Sequence, residues 1–244
     1  MKVISFQTVI KPLLRSILQP IKEFLYPPFC FLCDVRLQEN ESRVCTKCWS
    51  SFPRIEKGDV IDTDLKSKFS GDGAVDDCLS VYLFEKDGKL QEIIHHLKYS
   101  GMTAMGIRLG EEIGRVIRED LNFRKGDMVI PIPLHRLKQR ERGYNQSEFI
   151  CKGIASVTSI PLFPRLLTRA KYTQTQTQLD LNQRKENMES AFAVSEKSRK
   201  LLQGKKVILV DDVITTGSTI NSCAQELRKF GVESVLAASV AHAY

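Results

Sequence analysis

The stretch that most restricts the fold runs from Lys206 to Val240. Val207-Ile208-Leu209-Val210 is an unbroken, mostly β-branched apolar run, as in a strand buried on both faces. It ends on two acids, Asp211-Asp212, followed by Val213-Ile214 and a small polar turn, Thr215-Thr216-Gly217-Ser218-Thr219. Ile220, Cys223, Ala224, Leu227 and Phe230 then recur at three- and four-residue steps, the spacing of one helix face. Gly231 closes that helix, and Val235-Leu236-Ala237-Ala238-Ser239-Val240 supplies a second, parallel strand. This strand–turn–helix–strand order predicts an α/β domain with a central, mostly parallel sheet flanked by helices.

The turn has the chemistry of an anion site. The first amides of a helix lack internal acceptors and carry partial positive charge. Gly217 lets the backbone approach a ligand, and Thr215, Thr216, Ser218 and Thr219 add hydroxyl donors. A phosphate monoester suits such a nest. Asp211 and Asp212 repel phosphate, so they are expected to face hydroxyls or a bound cation. Phosphate at one end and a diol at the other describes a ribose 5-phosphate. Neither G-x-x-x-x-G-K-[ST] nor a post-strand G-x-G-x-x-G is present. The run Asp211-Asp212-Val213-Ile214-Thr215-Thr216-Gly217-Ser218-Thr219 resembles the loop of type I phosphoribosyltransferases that binds 5-phosphoribosyl 1-diphosphate (PRPP). The resemblance implies that the acids hold the ribose hydroxyls and the turn holds the 5-phosphate, with Mg²⁺ accompanying PRPP.

Near the start, Cys30-x-x-Cys33 and Cys45-x-x-Cys48 are separated by eleven residues. Two such knuckles predict a tetrahedral, structural Zn²⁺ ribbon whose closed thiolate shell leaves no position for water. Metal binding by cysteines, rather than disulfide pairing, points to a reducing compartment. Arg43, Lys47 and Trp49 offer the ribbon a surface for nucleic acid or for a docking partner. Cys151 and Cys223 fall on apolar helical faces and read as core; Cys78 precedes a strand, and nothing suggests a nucleophile.

Before the ribbon, Phe6, Ile10, Leu13, Ile17, Ile21 and Phe24 have helical spacing. Lys2, Lys11, Arg15 and Lys22 interrupt any run long enough to span a bilayer. The expected divisions are an amphipathic helical extension at 1–28, a Cys₄ ribbon at 29–52, a connector at 53–78 and the α/β domain at 79–244. No transmembrane segment is expected.

The net charge of +7 implies an anionic partner without distinguishing phosphate, nucleic acid and membrane surface. Met128 to Pro133 reads as a strand stopped by prolines. The basic loop behind it, with His135, Arg136, Lys138, Arg140 and Arg142, is expected to face a diphosphate or DNA. Lys98, at the end of a helix through Leu90, Ile93, Ile94 and Leu97, is a further candidate for the diphosphate. The polar, Gln- and Thr-rich segment 160–200 is expected to be a lid or binding loop.

His96-Leu-Lys98-Tyr99-x-Gly101, Pro131-x-Pro133-Leu-His135-Arg136, Arg142-Gly-Tyr-Asn-Gln146, Arg169-x-x-x-Thr173-x-x-Gln176 and Arg184-x-x-Asn187-x-x-x-Ala191-Phe192 resemble, in that order, the motifs of the ComF family. The resemblance implies a zinc ribbon joined to a type I phosphoribosyltransferase-like domain. It also implies a role in natural competence: handling single-stranded DNA in the cytoplasm, beside a competence helicase, with peripheral contact at the inner membrane. Two readings stay open, a PRPP- or nucleotide-phosphate-binding protein of DNA uptake and an active phosphoribosyltransferase. No residue stands out as a general base.

Overall fold

The computed structural model describes residues 28–71, 73–169 and 192–244. The amphipathic extension and the greater part of the 160–200 segment, with Thr173, Gln176, Arg184 and Asn187, lie outside them. The chain divides into two compact units, Met1–Phe52 and Pro53–Tyr244. No helix among the described residues is long and apolar enough to cross a membrane.

In the first unit, a short helix, α1 (Thr46–Trp49), starts at Cys45, and antiparallel bridges join Phe29 to Arg36 and Ser42 to Val44. Glu41 fixes the approach, accepting from the Gln38 N–H at 2.9 Å and the Thr46 N–H at 2.6 Å. Trp49, expected to present a surface, is 8% exposed and packs on Phe52 at 5.4 Å between ring centroids. A unit this small has few large side chains with which to close a core, and the indole serves that purpose.

The second unit is built on four parallel strands in the order β1-β6-β5-β2. These are β1 (Asp77–Leu83), β2 (Met128–Pro131), β5 (Lys206–Ile214) and β6 (Ser234–His242). Val207, Ile208, Leu209, Val210, Val235, Ala237 and Ala238 are fully buried, as continuous apolar runs in a doubly covered parallel sheet require. A two-stranded antiparallel ladder, β3 (Leu167–Arg169) with β4 (Phe192–Val194), stands apart. The helices are α2 (Val60–Ser67), α3 (Lys89–Tyr99), α4 (Thr103–Glu119), α5 (Arg136–Arg142), α6 (Gln146–Thr158), α7 (Arg199–Leu202) and α8 (Ser218–Arg228).

Three elements differ from the sequence reading. Strand β5 does not stop at the acids; it runs through Asp211 and Asp212 to Ile214, because β6 is equally long and pairs Asp211 with Ser239, Val213 with Ala241 and Ile214 with His242. Residues 53–78, expected as a connector, contain α2. Asp59 caps it, accepting from the Asp62 N–H at 2.7 Å. Its core contribution is concentrated in Leu65 and in Phe69 just beyond, so the apolar periodicity is too sparse to read. The basic segment after β2 is a helix, not a loop. His135 caps it, its Nδ1 accepting from the Leu137 N–H at 3.4 Å, and Gly143 closes it in the left-handed conformation with φ +78°.

Helices α4 and α6 meet backbone to backbone. A Cβ on Gly110 would lie 1.9 Å from the Ile150 carbonyl oxygen, and one on Gly153 would lie 2.0 Å from that of Ile107. Neither obstacle is a side chain that can swing aside, so the helices themselves would have to separate. Gly110→Ala and Gly153→Ala are each expected to lower stability by about 1–3 kcal/mol or more. This holds although alanine is the better helix former by about 1 kcal/mol. Chemical denaturation of the two variants measures it.

Candidate functional site

The turn after β5 is a compact anion nest. Gly217 takes φ +74° and caps α8 without a side chain. The first helical bond runs from the Asn221 N–H to the Gly217 carbonyl at 2.9 Å. The amides of Ser218, Thr219 and Ile220 precede it and stand outside the ladder. Of these, Ser218 N–H points to Thr216 Oγ1 at 3.4 Å, at the long limit of a hydrogen bond. Thr215, Thr216 and Ser218 are exposed. An open hollow with ≈ 230 Å³ of empty volume, solvent-open space included, is lined by Asp211 and by Val213 through Ile220. A Cβ on Gly217 would come within 2.9 Å of the Phe69 ring. Glycine is therefore required twice, for its φ and for the closeness of that ring.

The acids have different partners, as successive side chains of a strand must. Asp211 Oδ1 accepts from Ser147 Oγ at 3.2 Å and from the Asp212 N–H at 2.9 Å. Burial, with Asp212 beside it, pushes the Asp211 carboxyl well above the usual range. Asp212 is 5% exposed, and its Oδ2 lies 2.6 Å from Lys98 Nζ at the end of α3. Lys98 was expected at a diphosphate; in this state its ammonium neutralises an acid instead.

Two motifs far apart in sequence clasp around this ion pair. The Tyr144 hydroxyl donates to the Leu97 carbonyl. Arg142 lies over the Tyr99 ring, 4.9 Å from its centroid, and donates to the Tyr99 hydroxyl at 3.3 Å and to Gln146 Oε1 at 2.9 Å. Asn145 caps α6 and donates to the Ile132 carbonyl at 2.9 Å. The Arg142–Gln146 run thus ties the end of α3 to the start of α6, each of which supplies one partner to an acid. Arg142 is turned inward and parts company with the other cations expected beside it. Arg136, Lys138 and Arg140 are exposed along α5, and no ion pair holds them among the described residues.

His242 is a site residue for which the sequence analysis offers no role. It is fully buried at the end of β6, with Nδ1 3.1 Å from the Ile214 carbonyl and Nε2 2.8 Å from Asp64 Oδ2 of α2. His242, with Lys68 behind it, holds the Asp64 carboxyl below the usual carboxylate range. This bridge fixes the last carbonyl of β5, where the phosphate turn begins. Its only sequence signal was a histidine two residues past a buried apolar run.

In the ribbon, the four cysteine sulfurs lie within 4.8 Å of one another, and Cys33 Sγ is 3.7 Å from Cys45 Sγ. Sulfurs around one tetrahedral Zn²⁺ with Zn–S near 2.3 Å lie roughly 3.8 Å apart, so the four fit the ion. The Cys45 N–H points to Cys30 Sγ at 3.3 Å and the Cys48 N–H to Cys45 Sγ at 3.4 Å, the outer contacts that stabilise metal-bound thiolates. Burial opposes the Cys30 thiolate, but backbone amides outweigh it and bring its pKa to about 6. Burial and the neighbouring sulfurs push Cys48 up to about 12, a thiol that ionises on meeting the metal. Cys151 and Cys223 are buried as expected, Cys78 is buried as well, and burial raises all three thiols.

Comparison with known proteins gives the same two parts. The phosphoribosyl transferase domain family matches residues 137–243, and the double zinc ribbon domain family matches residues 21–58. Competence protein F of Haemophilus influenzae is 38% identical over 109 residues, 45% of this chain and 47% of that protein, so the match spans about half the relative's length. DNA utilization protein YhgH of Shigella flexneri is 27% identical over 220 residues, 86% of this chain and 94% of that protein. Competence protein ComFC of Streptococcus pneumoniae is 24% identical over 215 residues, 82% of this chain and 87% of that protein. The chain is similar to these competence and DNA utilization proteins, and joins a zinc ribbon to a phosphoribosyl transferase-like domain.

Lys98 and Phe69 lie outside both matched stretches, yet they supply Asp212 with its counter-ion and the turn with its wall. Two outcomes follow from the geometry. The purified chain should carry one Zn²⁺, and Cys45→Ser or Cys48→Ser should reduce it well below one by elemental analysis. Asp211→Asn keeps an Oδ1 that accepts both hydrogen bonds and removes a charge that burial disfavours. It should raise the stability of the ligand-free protein at neutral pH by something on the order of 1–2 kcal/mol. The sign follows from a carboxyl raised in the folded state. The wild type loses stability relative to the variant as pH climbs from the ordinary carboxylate range to the raised value, and the gap is constant beyond it. Thermal unfolding of the pair across pH measures this.

Proposed function

We propose that the chain is a ComF-type ribose-phosphate-binding protein that takes PRPP, or a nucleotide phosphate of the same pattern, and acts in natural competence on incoming DNA. The observation that carries the reading is the run of Ser218, Thr219 and Ile220 amides ahead of the first helical bond, beside the Asp211–Asp212 pair. In this reading Thr215, Thr216, Gly217, Ser218 and Thr219 take the 5-phosphate, with Val213 and Ile214 forming the backbone that leads into them. Asp211 and Asp212 take the ribose hydroxyls. Mg²⁺ arrives on the diphosphate, since Asp212 already has a cation beside it. The structural Zn²⁺ is held by Cys30, Cys33, Cys45 and Cys48.

The exposed cations of α5, Arg136, Lys138 and Arg140, support a second contact, with single-stranded DNA. The printed names of the Haemophilus, Shigella and Streptococcus relatives refer to competence and DNA utilization, which favours the same cellular setting. A competence helicase as partner and peripheral contact with the inner membrane complete the proposal.

The second reading, an active phosphoribosyltransferase, is favoured by two adjacent carboxylates kept within a buried strand, an arrangement that costs stability. Its chemistry would be electrostatic, with Lys98 stabilising the leaving diphosphate as an oxocarbenium-like sugar forms.

Calorimetric titration with PRPP and Mg²⁺ tests the first reading. Binding by the wild type, and loss of about tenfold or more in affinity for Asp211→Asn with Asp212→Asn, is the expected result. No binding by the wild type would remove it. Affinity for a short DNA single strand should fall steeply between low and moderate salt, and less steeply for Arg136→Ala with Arg140→Ala. Release of pyrophosphate in the presence of PRPP and a panel of nucleobases would select the enzyme.

A further inference from the structure

His242 is a fully buried ring with an acceptor at each nitrogen. Nδ1 lies 3.1 Å from the Ile214 carbonyl oxygen, and Nε2 lies 2.8 Å from Asp64 Oδ2. A carbonyl cannot donate. Asp64 Oδ2 also meets Lys68 Nζ at 3.1 Å, and the ring and Lys68 together hold its carboxyl below the usual carboxylate range, so it too accepts. Two acceptors call for two N–H donors, and an imidazole ring carries both only as the imidazolium. A charge buried this deeply is tolerable because a carboxylate lies against it. Asp64 and, behind it, Lys68 are the ionisable groups that α2 brings to the ring. Its register partners on either side, Leu83 of β1 and Ile214 of β5, carry none.

Loss of one proton leaves one N–H and one bare nitrogen. If Nε2 keeps its hydrogen, the Nδ1 lone pair faces the Ile214 oxygen. If Nδ1 keeps it, the Nε2 lone pair faces the carboxylate. Either way two acceptors confront each other around a buried ring, and one end of the bridge must part. The first parting releases the residue that leads into Thr215, whose carbonyl is then left with the Ala243 N–H at 2.9 Å. The second releases α2, which carries Phe69 just past its end, and Phe69 is the wall against Gly217. Each loosens a support of the turn.

We propose that His242 is a positioning residue for the turn from Thr215 to Thr219, and that its second ring proton couples anion binding there to pH. The turn takes an anion while the ring is an imidazolium, and takes it more weakly once the proton is gone. By linkage, an anion in the turn makes the ring hold its proton more tightly. The coupling rests on the reading of the turn as an anion site and applies to any anion that the amides take.

Ring-nitrogen NMR of the intact chain with isotope-labelled histidine reads the charge directly, with His242→Phe to identify the signal. Both His242 nitrogens should be of the protonated type at neutral pH, and a neutral-ring pattern there overturns the proposal. Sulfate is the binding probe, because its charge is constant where imidazole titrates. Its affinity for the wild type should fall by about fivefold or more as the His242 signal passes from imidazolium to neutral ring. Asp211 lines the same hollow, and its raised carboxyl also titrates. The comparison is therefore with His242→Phe, which should bind sulfate more weakly and lack the step that follows the ring. Asp64→Asn keeps an acceptor for Nε2 but removes the charge that pairs the ring. It should move the step to lower pH, in signal and in affinity together. A wild-type profile parallel to that of His242→Phe, or a step unmoved by Asp64→Asn, overturns the coupling and leaves the anion site in place. Should His242→Phe fold poorly, Asp64→Asn both identifies the signal and supplies the test. Failure of the wild type to bind sulfate or PRPP at any pH overturns the anion-site reading, and the coupling with it.

Discussion

The site is organised around the cost of holding two adjacent carboxylates within a buried strand, just past the point where β2 stops pairing with it. Taking even one charge out of water is expensive unless it is paired, and β5 carries two. The fold answers with different devices for each. Asp212 receives an ammonium from α3, and Asp211 receives a hydroxyl and an amide while its carboxyl is driven toward the neutral form. Each answer fixes the position of a helix. The end of α3 must lie where Lys98 reaches Asp212, and the start of α6 must lie where Ser147 reaches Asp211. The 142–146 run, clasped to Leu97 and Tyr99, holds those two helix ends together. The close approach of α4 and α6 through Gly110 and Gly153 follows from the same demand, since a separation between them would be felt at Ser147.

The phosphate turn is held by independent means. Phe69 lies against Gly217 on one side, and His242 joins the Ile214 carbonyl to Asp64. Both contacts come through α2 and the residue just beyond it. The turn's amides are left without helical acceptors while the backbone on either side is fixed. An anion nest that must otherwise be ordered on binding is here ordered in advance, which reduces the entropic cost of taking up a ligand.

The parallel sheet, the helix after the turn and the four metal-binding cysteines were legible because each has a local signature: an unbroken apolar run, a three- and four-residue period, a repeated C-x-x-C. The acids and the turn were legible because their chemistry is contained in nine consecutive residues. What was not legible was long-range. Nothing near Lys98 announces that its partner is an acid 114 residues further on. His242 joins residues from three separate elements, and α2 enters the core through Leu65 and Phe69 alone. The basic segment was misread for the opposite reason. Its charges suggested a loop, while a histidine cap and a left-handed glycine, both local, made it a helix. Within that helix Arg142 differs from Arg136 and Arg140 only in what it meets, which no count of charges reveals.

These separations also bear on how binding and chemistry divide in such a fold. The parts that read clearly, the turn and the acids, are those proposed to take the ribose phosphate. The parts that do not, Lys98 and the clasp behind it, act on Asp212 from a helix end. A chain can keep the first and vary the second without disturbing the sheet, because Lys98 reaches the acids from a helix end and not from a strand. Binding without transfer then needs only that the cation hold the diphosphate in its ground state as strongly as when it leaves. Transfer needs the hold to strengthen as charge develops. Whether the ammonium returns to Asp212 at that moment decides between the two. A lysine that relaxes to its carboxylate as the bond breaks withdraws stabilisation from the leaving group. One that stays with the diphosphate lowers the barrier. In the proposed reading, the 2.6 Å contact of the ligand-free state sets the strength of that competition.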